Sequence, residues 1–150
     1  MTIIIGAGNA YRGDDGAGLA VARKLRKRLR GLAQVIEWNG EGSGMLRAWQ
    51  GVETAVIVDA VRSGAPAGMV HRYVAHKRPL PVQYLRCGSS HTFGVAEAIE
   101  VARVIGQLPR RVVVYTIEGV RFSVGSGVSA AVRRAIAAVA DAVEREVRRA

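Results

Sequence analysis

The stretch TAVIVDA, residues 54–60, constrains the fold more than any other. It is almost continuously apolar, so no alternating face is left for water. A strand of this kind is expected to be covered on both sides, as in parallel sheets packed between helices. The rest of the chain supplies the covering layers. Thr2 to Ile5 reads as a short buried strand, AQVIEW (33–38) as a second, and RVVVYTIE (111–118) as the last. From Gly16 to Arg30, Leu19, Ala22, Leu25 and Leu29 share one helical face with Arg and Lys opposite. A short helix is predicted over Met45 to Gln50, another over Phe93 to Gly106, and a long one over Ser129 to Arg149, with Ser129 as its N-cap. The connection VRSGAPAG (61–68) is too short for a crossover helix, so the strand around Met69 to Ala75 should run antiparallel at an edge. Residues 77–90 read as an irregular loop. The pattern predicts an α/β protein: a three-layer α/β/α sandwich with a mostly parallel sheet of about five strands, one edge strand antiparallel, in a single domain over 1–150.

Composition narrows the partners. The chain carries 22 Lys and Arg against 12 Asp and Glu, a formal charge of +10 that raises the question of nucleic acid. The positive residues, however, concentrate in RKLRKRLR (23–30) and REVRR (145–149), with no interleaved aromatics to stack on bases. Solvated helix faces account for them, so neither nucleic acid nor a membrane is expected as partner, while an acidic protein suits the charge equally well. No apolar run is long enough to span a bilayer, and residues 2–5 lack the charged lead-in of a signal peptide. Cys87 is the sole cysteine, which excludes an intramolecular disulfide. These features together predict a cytoplasmic protein.

The opening IIIGAGNAYRGDDGAG (3–18) has the strand, glycine turn and helix of a phosphate-binding loop, yet Asp14 and Asp15 stand where phosphates would sit. Two like charges about 4 Å apart repel by roughly 4 kcal/mol at an effective dielectric of 20. The dinucleotide spacing fails as well, because Tyr11 occupies the place of the third glycine after Gly6 and Gly8. A cation is favoured instead. Ligands of open α/β sheets bind beyond the carboxyl ends of the strands. That edge should receive Asn9, Asp14 and Asp15 after the first strand and Asp59 at the end of TAVIVDA. It should also receive His91 at the start of the Phe93 helix and, more weakly, Glu118. Asp15, Asp59 and His91 would make an open site for a borderline divalent ion such as nickel, zinc or manganese. Each has a plainer reading. Asp14 is better explained as a cap for the first helix. His91 is open to the role of an ordinary helix-start residue. Asp59 has the poorest structural excuse, since a carboxylate on a buried strand is costly unless paired or liganded. His71 and His76 lie on or beside the edge strand and are not expected to be catalytic, and Cys87 reads as a small hydrophobe rather than a nucleophile.

Three segments in order, IIGAGNAYRGDDGAG (4–18), VIVDAVRSGAPAG (56–68) and SSHTFGVAEAI (89–99), resemble the hydrogenase maturation proteases, and TIEGVRFSVGSGVSAAV (116–132) has that family's late look. The resemblance implies an α/β/α fold and an endopeptidase that removes a C-terminal extension from the large-subunit precursor of a nickel–iron hydrogenase after nickel insertion. It implies metal-contacting and catalytic positions at Asp15, Asp59 and His91, with the nickel carried by the substrate. Asp15 stands where many members have Glu. The loop after the second strand, Asn39, Gly40, Glu41 and Gly42, departs from the family's usual pattern and is implied, with Asn9, in substrate contact. A non-hydrolytic nickel-sensing chaperone for the same precursor is the alternative.

Overall fold

In a computed structural model, which describes all residues except 41–43, 82–83, 85–93 and 150, the apolar runs form one five-stranded sheet. The strands are β1 (Thr2–Ala7), β2 (Gln34–Trp38), β3 (Thr54–Val61), β4 (Val70–Val74) and β5 (Arg111–Glu118), in the order β2-β1-β3-β5-β4. All neighbours pair in parallel except β4, which runs antiparallel to β5 at the edge, as the short connection before it required. Among the described residues the helices are α1 (Ala17–Arg28), α2 (Gly44–Ala48), α3 (Val95–Val104) and α4 (Ala130–Arg149).

Two cores, one on each face, explain why the central strands carry so little polarity. Ile4, Val56, Val58, Val113 and Ile117 pack against α1 and α4, whereas Ile3, Ile5, Ala55, Ile57, Val112 and Val114 face α2 and α3. Successive strand residues point to opposite faces, so a strand covered twice must be apolar at every position. Asp59 falls on the α2/α3 face, in line with Ile57, and β3 continues two residues beyond it rather than ending there as predicted.

The first helix begins later than its pattern suggested. A single 3-10 turn, Gly13–Gly16, precedes α1 and carries both aspartates. Gly18 then lets α1 press onto the sheet, because a Cβ there would overlap the carbonyl oxygens of Ala7 and Val58. Gly18→Ala is expected to cost about 3 kcal/mol, the upper end for overpacking a core, read as a lower urea midpoint with unchanged slope.

Part of the positive charge is answered within the chain. Arg23 and Arg26 on α1 both reach Glu37 of β2, at 3.0 and 3.2 Å, and Arg28 reaches Asp141 of α4 at 3.0 Å. Such exposed pairs add little stability, but they dilute the basic face. Among the described residues no helix is long and apolar enough to cross a membrane.

Candidate active site

The loop after β1 is tied down at each step. The Gly8 N–H donates to the Trp38 carbonyl at 3.0 Å, which seats the loop beside the end of β2. Gly8 has φ +141°, and a Cβ on it would overlap the Asp15 carbonyl, so this position needs glycine twice over. The Asn9 side-chain oxygen accepts the Tyr11 N–H at 2.9 Å, while the Asn9 N–H donates to Asp15 Oδ2 at 3.0 Å. Asn9 thus orients Asp15, which is 2% exposed. Asn39 and Gly40 follow β2 at the same edge, whereas Glu41 and Gly42 lie outside the described residues.

Asp59 is 1% exposed. Its Oδ2 accepts a hydrogen bond from the Tyr84 hydroxyl at 2.9 Å, and among the described residues its Oδ1 is buried with no hydrogen-bond partner. Burial pushes the Asp59 carboxyl up to about 7. The Tyr84 bond resists that rise, and the negative charges of Asp15 and Glu97 add to it. Asp15 and Asp59 are therefore close enough to feel one another. Burial, followed by the charge of Asp59, holds the Tyr84 hydroxyl well above its ordinary range, so it remains a donor. Glu97 lies in the first turn of α3, and its charge reaches Asp59.

His91 and Cys87 lie outside the described residues. Of the predicted metal set, Asp15 and Asp59 are both buried and the charge of Asp15 reaches Asp59, while among the described residues no three His, Cys, Asp or Glu side chains are grouped to hold an ion. Asp14 departs from its predicted role. It caps no helix: its carboxylate accepts the N–H groups of Val120, Arg121 and Ser129 at 2.9, 3.0 and 2.8 Å, and the Ser129 hydroxyl at 3.1 Å. Ser129 directly precedes α4, and its carbonyl accepts the Arg133 N–H at 2.9 Å. Its hydroxyl is committed to Asp14. Glu118 is also a clamp, accepting the Ser63 N–H and hydroxyl, both at 2.6 Å. His71 stacks on Tyr73, and His76 Nδ1 accepts the Val112 N–H at 3.0 Å. Tyr84 escaped the sequence reading because it sits in a stretch with no periodicity, and only its distant acceptor reveals it.

Two buried carboxylates whose charges reach one another can offer oxygen to a divalent cation or take up a proton from water. The family model described as hydrogenase maturation protease, HycI, matches residues 19–146, well over half of the chain. The chain belongs to the hydrogenase maturation protease family. The matched span contains Asp59 and His91 and begins after Asp15. No curated protein sequence matches significantly.

The fold of this maturation protease is similar to that of the hydrogenase maturating endopeptidase HybD from E. coli, with a TM-score of 0.83 at 17% identity over 99% of this chain and 92% of that one. It is also similar to the NiFe hydrogenase maturation protease HybD from Thermococcus kodakarensis, with a TM-score of 0.72 at 21% identity over 97% and 98%. An endopeptidase from Escherichia coli solved in solution gives a TM-score of 0.81 at 19% identity over 95% and 90%. These likenesses bear out the predicted fold: a mixed five-stranded sheet flanked by helices, with one antiparallel edge.

Proposed function

We propose that this maturation endopeptidase removes the C-terminal extension of a nickel–iron hydrogenase large-subunit precursor, and that it reads the nickel carried by that precursor before cutting. The observation that supports the metal reading is the Oδ1 atom of Asp59, buried and without a hydrogen-bond partner among the described residues, with Asp15 beside it. A buried carboxylate oxygen is costly to leave unmatched, and a divalent cation delivered by the substrate is the partner that best repays it. His91 completes the set in this reading: α3 begins four residues after it, and Glu97 in the first turn of α3 acts on Asp59. An ion held between enzyme and substrate would polarise the scissile carbonyl or sharpen a water, and a carboxylate of the pair would serve as base. Asn9, Asn39, Gly40, Glu41 and Gly42 line the substrate side of the rim in this reading, and the enzyme works in the cytoplasm.

Incubation of the protein with nickel-loaded and nickel-free precursor, followed by mass measurement of the products, tests the reading. The expected result is loss of the tail from the loaded precursor alone, and no loss with Asp15→Asn or His91→Ala. A tail retained at every enzyme concentration would overturn the assignment, and metal-dependent association without cleavage would mark a non-hydrolytic chaperone instead.

A further inference from the structure

One side chain bonds an oxygen of Asp59 directly, and the predicted metal set does not include it. Tyr84 is 5% exposed. Its N–H donates to the Pro81 carbonyl at 3.0 Å, and its ring meets Tyr73 edge-on, with centroids 6.4 Å apart at 88°. The ring belongs to the core on the α2/α3 face and walls a cavity of about 290 Å³ with Tyr73, Thr116 and Glu118. Backbone, ring packing and hydroxyl thus each have a fixed neighbour.

The hydroxyl is the informative part. A carboxylate side chain rotates broadly about its last torsion, so burial alone does not select which oxygen points where. The Tyr84 hydroxyl at 2.9 Å selects: it takes Oδ2 and leaves Oδ1 as the atom with no partner among the described residues. With Oδ2 engaged, Asp59 offers one oxygen rather than a two-oxygen chelate. We propose that Tyr84 is a positioning residue that locks Asp59 so that Oδ1 alone meets the substrate-borne cation. The proposal rests on the reading of Asp59 as a site residue. The plainer alternative is that a buried tyrosine simply needs an acceptor and Asp59 is the nearest one. In that case removing the hydroxyl alters stability and nothing else.

Cleavage of nickel-loaded precursor by Tyr84→Phe separates the two. Small errors in the placement of a reacting group act on the chemical step, so kcat is expected to fall about tenfold to a hundredfold. KM should stay within about twofold of the original value, because the loss is felt after binding. Tyr73→Phe, which removes a neighbouring hydroxyl while keeping the ring that packs on Tyr84, should leave kcat unchanged. Tyr84→p-aminophenylalanine, which restores a donor at the same point, should recover most of the loss. If Tyr84→Phe does not fold by circular dichroism, the p-aminophenylalanine variant against the wild type still decides, since it must cleave at close to the normal rate. Wild-type kcat in Tyr84→Phe, or no recovery with the restored donor, overturns the role of Tyr84 and leaves the proposed function standing. Failure of the wild type to cleave any loaded precursor is the separate result that removes the proposed function, and this role with it.

Discussion

Asp59→Asn is expected to abolish cleavage and, at the same time, to make the protein harder to unfold above neutral pH. The two effects share one cause. Burial holds the Asp59 carboxyl at about 7, against 3.8 for the free side chain. Below the lower of these values both folded and unfolded chains keep the proton, and the group exerts no pull on stability. Between them the unfolded chain gives up its proton while the folded one retains it, so stability falls as pH rises. Above about 7 the penalty is complete. Roughly three pH units correspond to about 4 kcal/mol. Asparagine fills nearly the same space, can still accept the Tyr84 hydroxyl, and carries no charge to desolvate. Urea unfolding of the two proteins from pH 5 to pH 8 should therefore diverge, with the variant more stable at the alkaline end. Curves that run parallel would show that Asp59 is not held near neutrality. Retained cleavage would remove it from the active site.

Asp14→Ala is expected to destabilise the fold by about 3–5 kcal/mol, the range for breaking a buried hydrogen-bond network at several points. Asp14 is fully buried, and its carboxylate receives three backbone N–H groups and one hydroxyl. Its own N–H donates to the Arg121 carbonyl at 2.7 Å. Burial alone would raise the carboxyl, but the hydrogen bonds from Val120, Arg121 and Ser129 outweigh it and hold it below its usual value. A carboxyl lowered in this way stabilises the fold above the ordinary carboxylate range, and that contribution is lost as pH falls through the folded value. Asp14→Asn keeps an accepting oxygen and should fall between the wild type and alanine. Thermal unfolding at pH 7 measures both, and an alanine variant within about 1 kcal/mol of the wild type would show that the clamp is dispensable. Because Asp15 shares a peptide bond with Asp14, cleavage should weaken in the same variants.

The layers of the fold were legible because burial on two faces writes itself into consecutive residues. TAVIVDA and RVVVYTIE announced central strands, and the few residues between β3 and β4 announced the antiparallel edge. The end of β3 was misplaced because Asp59 looked like a stop, whereas its burial is tolerated within the strand. Asp15 and Asp59 stood out as carboxylates in apolar settings where charge is expensive. What escaped was every interaction with no local period. The Tyr84 bond to Asp59 spans 25 residues, the Ser63 bonds to Glu118 span 55, and the Asp14 bonds span 106 to 115. Asp14 was misread for this reason: its short-range option, a helix cap, was visible, and its true acceptorship lay more than a hundred positions downstream.

The long reach of Asp14 also bears on when the turn that carries Asp15 becomes ordered. A polypeptide emerging from a ribosome has made Asp15 and Asp59 long before Ser129 appears, so the turn that carries Asp15 lacks its far anchor until α4 begins to dock. Domains acquire their native contacts as synthesis proceeds, and a clamp between residues 14 and 129 can close only after Ser129 has been made. The turn that carries Asp15 is thereby fixed only once α4 is available to dock, so order at the first carboxylate waits on a segment more than a hundred residues away.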